Sequence, residues 1–292
     1  MFKGTYTALV TPMCSGKVDA DAFQQLIETQ ISAGVDGIVP VGTTGESPTL
    51  THEEHHQVVE LATRFANGRC RVIAGAGSNA TAEAISLTRG AEKQGVDGVL
   101  IVAPYYNKPS QEGLFRHYRA IAEATSLKLV LYSVPSRCGV EIGVQTVARL
   151  AEACPNIVAI KEAGGSVERV SQLRIALPEE FSILSGDDSM TLPFMSVGAV
   201  GVISVASNLI PGEVSQLVKA ALDGDFRQAQ VLHQKYYPLF KGLFIESNPV
   251  PVKAALALQG AMTSEIRLPL CEMSAANLEV LRGTLKNLAL LD

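Results

Sequence analysis

The chain has 292 residues, 47% of them hydrophobic, with 24 Lys and Arg against 29 Asp and Glu and a formal net charge of −5. No Lys/Arg run stands out, so electrostatic capture of nucleic acid or of an anionic membrane is disfavoured, and the aliphatic runs fall far short of the roughly 20 residues a bilayer-crossing helix needs. The hydrophobic share excludes a disordered chain and suits one enzyme-sized core, of the kind that repeated barrels of roughly 250 residues build as a single domain.

The opening Met-Phe-Lys-Gly-Thr-Tyr-Thr-Ala-Leu-Val10 goes straight into strand pattern from Gly4, with no signal-peptide core. Asp21 to Ser32 carries Phe23, Leu26, Ile27 and Ile31 on one stripe and predicts a helix. Gly34-Val-Asp-Gly-Ile-Val-Pro-Val-Gly42 follows, with Gly34 placed to cap that helix ahead of a second strand. Arg71 to Gly75 is a third strand, and Thr81 to Lys93, with Ala84, Ile85 and Thr88 together, a further helix. Gly95-Val-Asp-Gly-Val-Leu-Ile-Val-Ala103 then echoes the earlier phrase, 61 residues on. That spacing is two strand-plus-helix units of about 30 residues each.

Lys128 to Tyr132, Ile157 to Ile160, Phe181 to Leu184 and Val200 to Val205 bring the strands to eight. Parallel strands require right-handed crossovers through helices, so eight alternating units predict an α/β fold, a (β/α)8 TIM barrel, over residues 1–224. After about Asp223 the alternation stops, and Asp225 to Gly242, Pro249 to Gly260 and Ser274 to Leu291 predict a helical C-terminal domain over 225–292. Five scattered cysteines, Cys14, Cys70, Cys138, Cys154 and Cys271, form no Cys-x-x-Cys pair and are odd in number. Reduced thiols and a cytoplasmic protein are the expectation.

Lys161 is the most informative residue. It follows the aliphatic Ile157 to Ile160 run in Asn156-Ile-Val-Ala-Ile-Lys161-Glu-Ala-Gly-Gly165. A strand buried on both faces reads as a continuous aliphatic run, so a lysine in its last position calls for a partner or a chemical reason. Desolvation disfavours the ammonium, and a lysine held that way spends time as a free amine able to attack a carbonyl. The plain alternative is a lysine that snorkels to solvent or pairs with Glu162.

Barrel active sites are built at the C-terminal ends of strands. Those positions read Gly42-Thr43-Thr44-Gly45-Glu46, Pro104-Tyr105-Tyr106-Asn107, Tyr132-Ser133-Val134-Pro135-Ser136-Arg137, Lys161, Gly186-Asp187-Asp188 and Ile203-Ser204. An amine ringed by proton-relaying hydroxyls and a carboxylate-clamping guanidinium suits carbonyl chemistry on a small acid.

Other signals are weaker. His52-Glu-Glu-His55-His56 has histidines at metal-binding spacing on a helix start, but no convincing cysteine or carboxylate partner follows, and a solvated helix face is the expectation. Gly75-Ala-Gly77 imitates a dinucleotide fingerprint, yet the next strand ends without the acidic residue that grips a ribose; strand-to-helix turn glycines account for it better. Asp187-Asp188 lacks further carboxylates at matching strand ends, so loop structure and N-capping are expected rather than magnesium. No metal site and no cofactor is expected.

Thr-Pro-Met near the N-terminus, Gly-Thr-Thr-Gly-Glu-Ser, Ala-Pro-Tyr-Tyr-Asn-Lys-Pro-Ser-Gln-Glu-Gly, Tyr-Ser-Val-Pro-Ser-Arg, Ile-Lys-Glu-Ala, Leu-Ser-Gly-Asp-Asp and Asn-Pro-Val-Pro-Val-Lys253 span essentially the whole chain. Together they resemble the dihydrodipicolinate synthase (4-hydroxy-tetrahydrodipicolinate synthase) family. The resemblance implies a class I aldolase-like barrel that condenses pyruvate with L-aspartate 4-semialdehyde in the diaminopimelate route to lysine. Lys161 would form the imine, with Tyr132, Thr43 and Tyr106 as the proton-relaying hydroxyls. Thr44, with nearby backbone amides, would hold the pyruvate carboxylate, and Arg137 the semialdehyde carboxylate; Gly186 and the Ile203 carbonyl would border the substrate. The second tyrosine of the Tyr-Tyr pair reaches a neighbouring subunit in this family. Tyr106 therefore implies a dimer, and the resemblance implies a homo-oligomer that is a tetramer built as a dimer of dimers. An inhibitory L-lysine would bind at the interface through Ser47, Pro48, His52, His55, Asn79, Glu83 and Tyr105.

Ser133 stands where the family usually shows asparagine, and Cys138 where it shows threonine, which makes Cys138 a candidate thiol-sensitive spot. A lyase of the same superfamily acting on sialic acid or a keto-deoxy sugar acid, and a non-catalytic metabolite sensor, are the competing readings.

Overall fold

A computed structural model describes residues 2–291. Eight parallel strands close into a barrel: β1 (Gly4–Ala8), β2 (Gly37–Val39), β3 (Arg71–Gly75), β4 (Gly98–Val102), β5 (Lys128–Ser133), β6 (Ile157–Glu162), β7 (Ser182–Ser185) and β8 (Gly201–Ser204). Each pairs with its neighbour in sequence, and β1 pairs with both β2 and β8 to close the ring. The expected TIM barrel is thus present, strand for strand. Among the described residues no helix is long and apolar enough to cross a membrane.

Local chemistry explains where the elements stop. Gly34 and Gly95 adopt φ of +78° and +76°, directly after the helices Ala20–Ser32 and Thr81–Lys93. Nothing stands near where a Cβ would be at either position, so left-handed backbone rather than space selects glycine. The second strand is shorter than the Gly34–Gly42 phrase suggested. Val41 sits at φ +50° and Glu46 at φ +57°, which turns the chain out of the ladder into the Thr43–Glu46 loop. Conversely β6 runs two residues beyond the aliphatic Ile157–Ile160 run, so Lys161 lies inside the ladder rather than beyond it.

Sequence periodicity misplaced one face. In the Ala20–Ser32 helix Phe23, Leu26 and Ile27 are buried as expected, but Gln30 takes the fourth buried position and Ile31 is only partly covered. Gln30 Oε1 accepts a 2.6 Å hydrogen bond from the buried Thr7 hydroxyl, which makes an amide tolerable there. Two elements went unanticipated: a two-stranded hairpin, Met13–Cys14 with Lys17–Val18, and a one-turn helix, Pro135–Cys138.

Beyond the barrel, helices Phe226–Gly242, Val250–Leu258 and Ala275–Asn287 follow. They fold back onto the barrel mouth: Asn248 Nδ2 donates to Thr44 Oγ1 at 2.9 Å, and the Arg267 guanidinium pairs with Glu54 at 2.6 Å.

Candidate active site

Lys161 points into the barrel and is 5% exposed. Adjacent strands place Tyr132 level with it, and Lys161 Nζ lies 4.4 Å from the centre of the phenol ring. Burial pushes the Lys161 pKa down to about 8; a buried carboxylate at Asp188 resists the fall, and Arg137 adds to it. Room for the side chain comes from Gly186, where a Cβ would stand 3.0 Å from Lys161 Cε and 2.7 Å from Ala163 Cβ.

Strand alternation turns Glu162 the other way. Its carboxylate accepts from Arg169 Nε at 2.8 Å and from the Gly164 N–H at 2.7 Å, with both charged side chains buried. A Lys161–Glu162 pair, the plain alternative for this lysine, is therefore excluded: neighbours on a strand face opposite sides.

The hydroxyls come from the Thr43–Glu46 loop and from the end of β5. Burial drives the Tyr132 phenol to a higher pKa, and the neighbouring Thr43 hydroxyl and Arg137 act in the opposite direction. Thr44 is buried beside Thr43. The Pro135–Cys138 turn carries Arg137, whose Nη2 donates to the Asn248 carbonyl at 3.1 Å. Ile203 is fully buried on β8, opposite Tyr6 of β1. Tyr106 alone stands apart, 90% exposed at φ +73°. Within one chain the hydroxyl series therefore contains Thr43 and Tyr132 and not Tyr106.

A cavity of about 380 Å³ runs from Thr43 and Tyr132 to the face of the His52–Ala66 helix; Lys161 and Thr44 do not line it. Tyr132, Val134, Arg137 and Cys138 line one end, and Ser47, Pro48, His52, His55, Glu83 and Tyr105 the other. Asn79 is not among its lining residues; Ser78 is, and its hydroxyl donates to Glu83. The three clustered histidines diverge. His52 Nε2 lies 2.9 Å from Glu83 Oε1, His55 Nε2 donates to the Gly75 carbonyl at 2.8 Å, and His56 packs over Gly90. The expected solvated face holds at His52, which is exposed, and fails at His55, which is buried and whose pKa desolvation lowers. Among the described residues no group of three or more His, Cys, Asp or Glu is placed to hold a metal ion.

Gly75 ends β3 and Gly77 follows it, and close approach selects both: a Cβ on either would collide with backbone, of Val41 and Val102 respectively. Asp187 caps the following turn through Ser189 N at 2.8 Å, as expected. Asp188 does more than cap. It is buried, accepts from Ser204 Oγ and from the Val205 and Ala206 N–H groups at 3.0 Å, and so braces the end of β8. The expectation for Cys138 is corrected: burial pushes its thiol up to about 11, which leaves it a poor nucleophile. Ser133 is fully buried, its hydroxyl without a hydrogen-bond partner.

Comparison with known proteins decides the family. The model of the dihydrodipicolinate synthetase family matches residues 1–288. The chain belongs to this family. A curated 4-hydroxy-tetrahydrodipicolinate synthase of Aquifex aeolicus is 52% identical over 98% of the chain and 97% of its own length. The solved 4-hydroxy-tetrahydrodipicolinate synthase of Methylacidiphilum fumariolicum SolV is 60% identical, with a TM-score of 0.98 over 99% of this chain and 96% of that one. Two further family structures hold ligands. A dihydrodipicolinate synthase from Acinetobacter baumannii complexed with pyruvate is 46% identical, TM-score 0.98, over 100% of both chains. One from Cyanidioschyzon merolae with lysine bound is 43% identical, TM-score 0.97, over 99% of both. The activity of this family member is that of a 4-hydroxy-tetrahydrodipicolinate synthase, a lyase of the class I aldolase type.

Proposed function

We propose that Lys161 carries the reaction as an imine-forming amine. The observation that supports this reading is a buried lysine, its pKa lowered to about 8, with its Nζ 4.4 Å from the ring centre of a buried phenol that has Thr43 beside it. The free amine attacks the ketone carbon of pyruvate, and the carbinolamine loses water to give the protonated imine. That cation draws electrons from the adjacent C–H bond, so the methyl group releases a proton and becomes the enamine carbon. Tyr132 is the group placed to pass protons through these steps, with Thr43 next in line. The enamine carbon bonds to the aldehyde carbon of L-aspartate 4-semialdehyde. The semialdehyde's own amino group then attacks the imine carbon, closes the ring and expels the Lys161 amine.

Thr44 suits the pyruvate carboxylate, the Ile203 carbonyl faces the substrate, and Arg137 suits the semialdehyde carboxylate, which a planar fork binds through two hydrogen bonds. Tyr106, projecting from its own chain, is assigned to the site of a second copy, in a homo-oligomer built as a dimer of dimers. Residues 1–224 serve as the catalytic barrel and 225–292 as a helical domain closing its mouth. No cofactor enters the reaction. The five free cysteines suit the cytoplasm.

The far end of the cavity suits L-lysine as an effector: Glu83 and Ser78 offer oxygen acceptors for its amines, with His52, His55, Ser47, Pro48 and Tyr105 around them, while Asn79 stays outside the lining. Inhibition of turnover by millimolar L-lysine is the expected result, and unchanged turnover removes this part of the reading.

The central test is pyruvate with borohydride. Reduction of the imine adds a fixed mass to the peptide holding Lys161, and an unmodified Lys161 overturns the proposal. A non-catalytic sensor traps nothing. A sugar-acid lyase traps pyruvate but forms no ring product with the semialdehyde.

A further inference from the structure

The Thr43–Glu46 loop, which carries both the proton-relaying Thr43 and the carboxylate-binding Thr44, has few bonds of its own. Gly45 N–H donates to the Gly42 carbonyl and Glu46 N–H to the Thr43 carbonyl, each at 3.1 Å. Its last residue is the unusual one. Glu46 holds φ at +57°, a left-handed conformation that costs an L side chain energy and favours glycine or asparagine. A glutamate is retained there, and its side chain turns inward to meet Lys253.

Lys253 belongs to the Val250–Leu258 helix, 207 residues away. The two charged side chains are each 1% exposed, and Nζ donates to Glu46 Oε1 at 2.5 Å and to the Thr11 carbonyl at 3.1 Å. Glu46 Oε2 accepts from the Arg267 N–H at 3.2 Å, and the Thr11 hydroxyl donates to the Gly45 carbonyl at 2.7 Å. The ammonium and the carboxylate are thereby fixed to two separate stretches of backbone, at Thr11 and at Arg267.

Burying an ion pair costs desolvation that the attraction barely recovers, and apolar residues of the same volume often serve stability as well. What the pair offers instead is direction: it accepts one arrangement of the loop and penalises the rest. We propose that Lys253 is a positioning residue, and that its buried pair with Glu46 is how the C-terminal helices hold the Thr43–Glu46 loop in its substrate-binding geometry. Neither side chain lines the cavity; the effect passes through the loop. The inference rests on the assignment of Thr44 to the pyruvate carboxylate.

Three variants test it: Lys253→Met, Glu46→Gln, and the two combined. The single changes strand a buried charge and lower the melting temperature. The double change removes both charges, which spares the protein an unpaired one, and recovers most of that loss. The readout is the pyruvate concentration for half-maximal borohydride trapping at Lys161, measured well below each melting temperature, alongside KM for pyruvate. A mispositioned loop raises both by about tenfold in every folded variant, the double included, while trapping at saturating pyruvate still goes to completion. Half-saturation equal to that of the unaltered enzyme overturns the proposal, as does a double variant that recovers stability and half-saturation together, because the pair is then packing alone. Failure of the unaltered enzyme to trap pyruvate is a different outcome: it overturns the imine assignment on which the inference stands.

Discussion

Lys161 and Tyr132 face each other across the β5–β6 ladder, with the amine nitrogen 4.4 Å from the centre of the phenol ring. The relationship fixes what each group can be. Burial beside the ring lowers the amine's pKa to about 8 against the opposing pull of the Asp188 carboxylate.

The first consequence is a pH dependence. A lysine with pKa near 8 is about one-tenth free amine at pH 7, against a few parts in ten thousand for an ordinary lysine. Because the amine is the reactive form, the rate of pyruvate trapping rises with pH through about 8 and then levels. Below it the rate falls about tenfold per pH unit. Stopped trapping at a series of pH values measures this, and a rise that continues towards pH 10.5 without levelling contradicts the lowered pKa.

Gly186→Ala adds a methyl group 3.0 Å from Lys161 Cε and 2.7 Å from Ala163 Cβ. The lysine stem must move, and displacement of a nucleophile by about 1 Å costs on the order of a hundredfold in rate. The expected variant is folded, with a circular dichroism spectrum like that of the unaltered protein, and traps pyruvate slowly. Trapping at the original rate means that the lysine does not use this space.

Arg137→Ala removes the guanidinium that reaches the Asn248 carbonyl from the barrel rim. Hydrogen bonds to charged groups contribute about 1.5–3 kcal/mol, so kcat/KM for the semialdehyde falls roughly ten- to a hundredfold or more. Pyruvate trapping changes far less. Equal losses in the two assays count against the assignment of Arg137 to the second substrate.

Arg169→Met leaves the buried Glu162 carboxylate without its cation. Breaking a buried pair from one side costs about 3–5 kcal/mol, read as a lower denaturant midpoint. Arg169 Nη2 also holds the Ile142 carbonyl, so the segment after Arg137 loosens with the end of β6. Glu162→Gln together with Arg169→Met removes both charges and recovers much of the midpoint; no recovery would show that the loss comes from packing instead.

Some of this was legible because it is local. Apolar runs of strand length, Gly34 and Gly95 at helix ends, and a lysine closing an aliphatic run each state their reason within ten residues, and they carried the barrel and Lys161. Periodicity failed where a polar group found a distant partner: Gln30 is buried because Thr7 waits for it, and no stripe of apolar residues announces that. The solvated helix face fails at His55 for the same cause, since its burial depends on the Gly75 carbonyl of the neighbouring strand.

Sequence by itself determined the order of strands and helices, the lysine that closes an aliphatic strand, and the family, because each is written in short-range pattern or in motifs. Tertiary structure alone decided that Asn248 reaches Thr44 across 204 positions, that Lys253 meets Glu46, and that Asp188 braces the end of β8. Closing the ring is what brings these groups together. A side chain's partner across the barrel mouth is set by how eight strands and three returning helices pack, and the desolvation that gives such partners their strength exists only once the packing is complete.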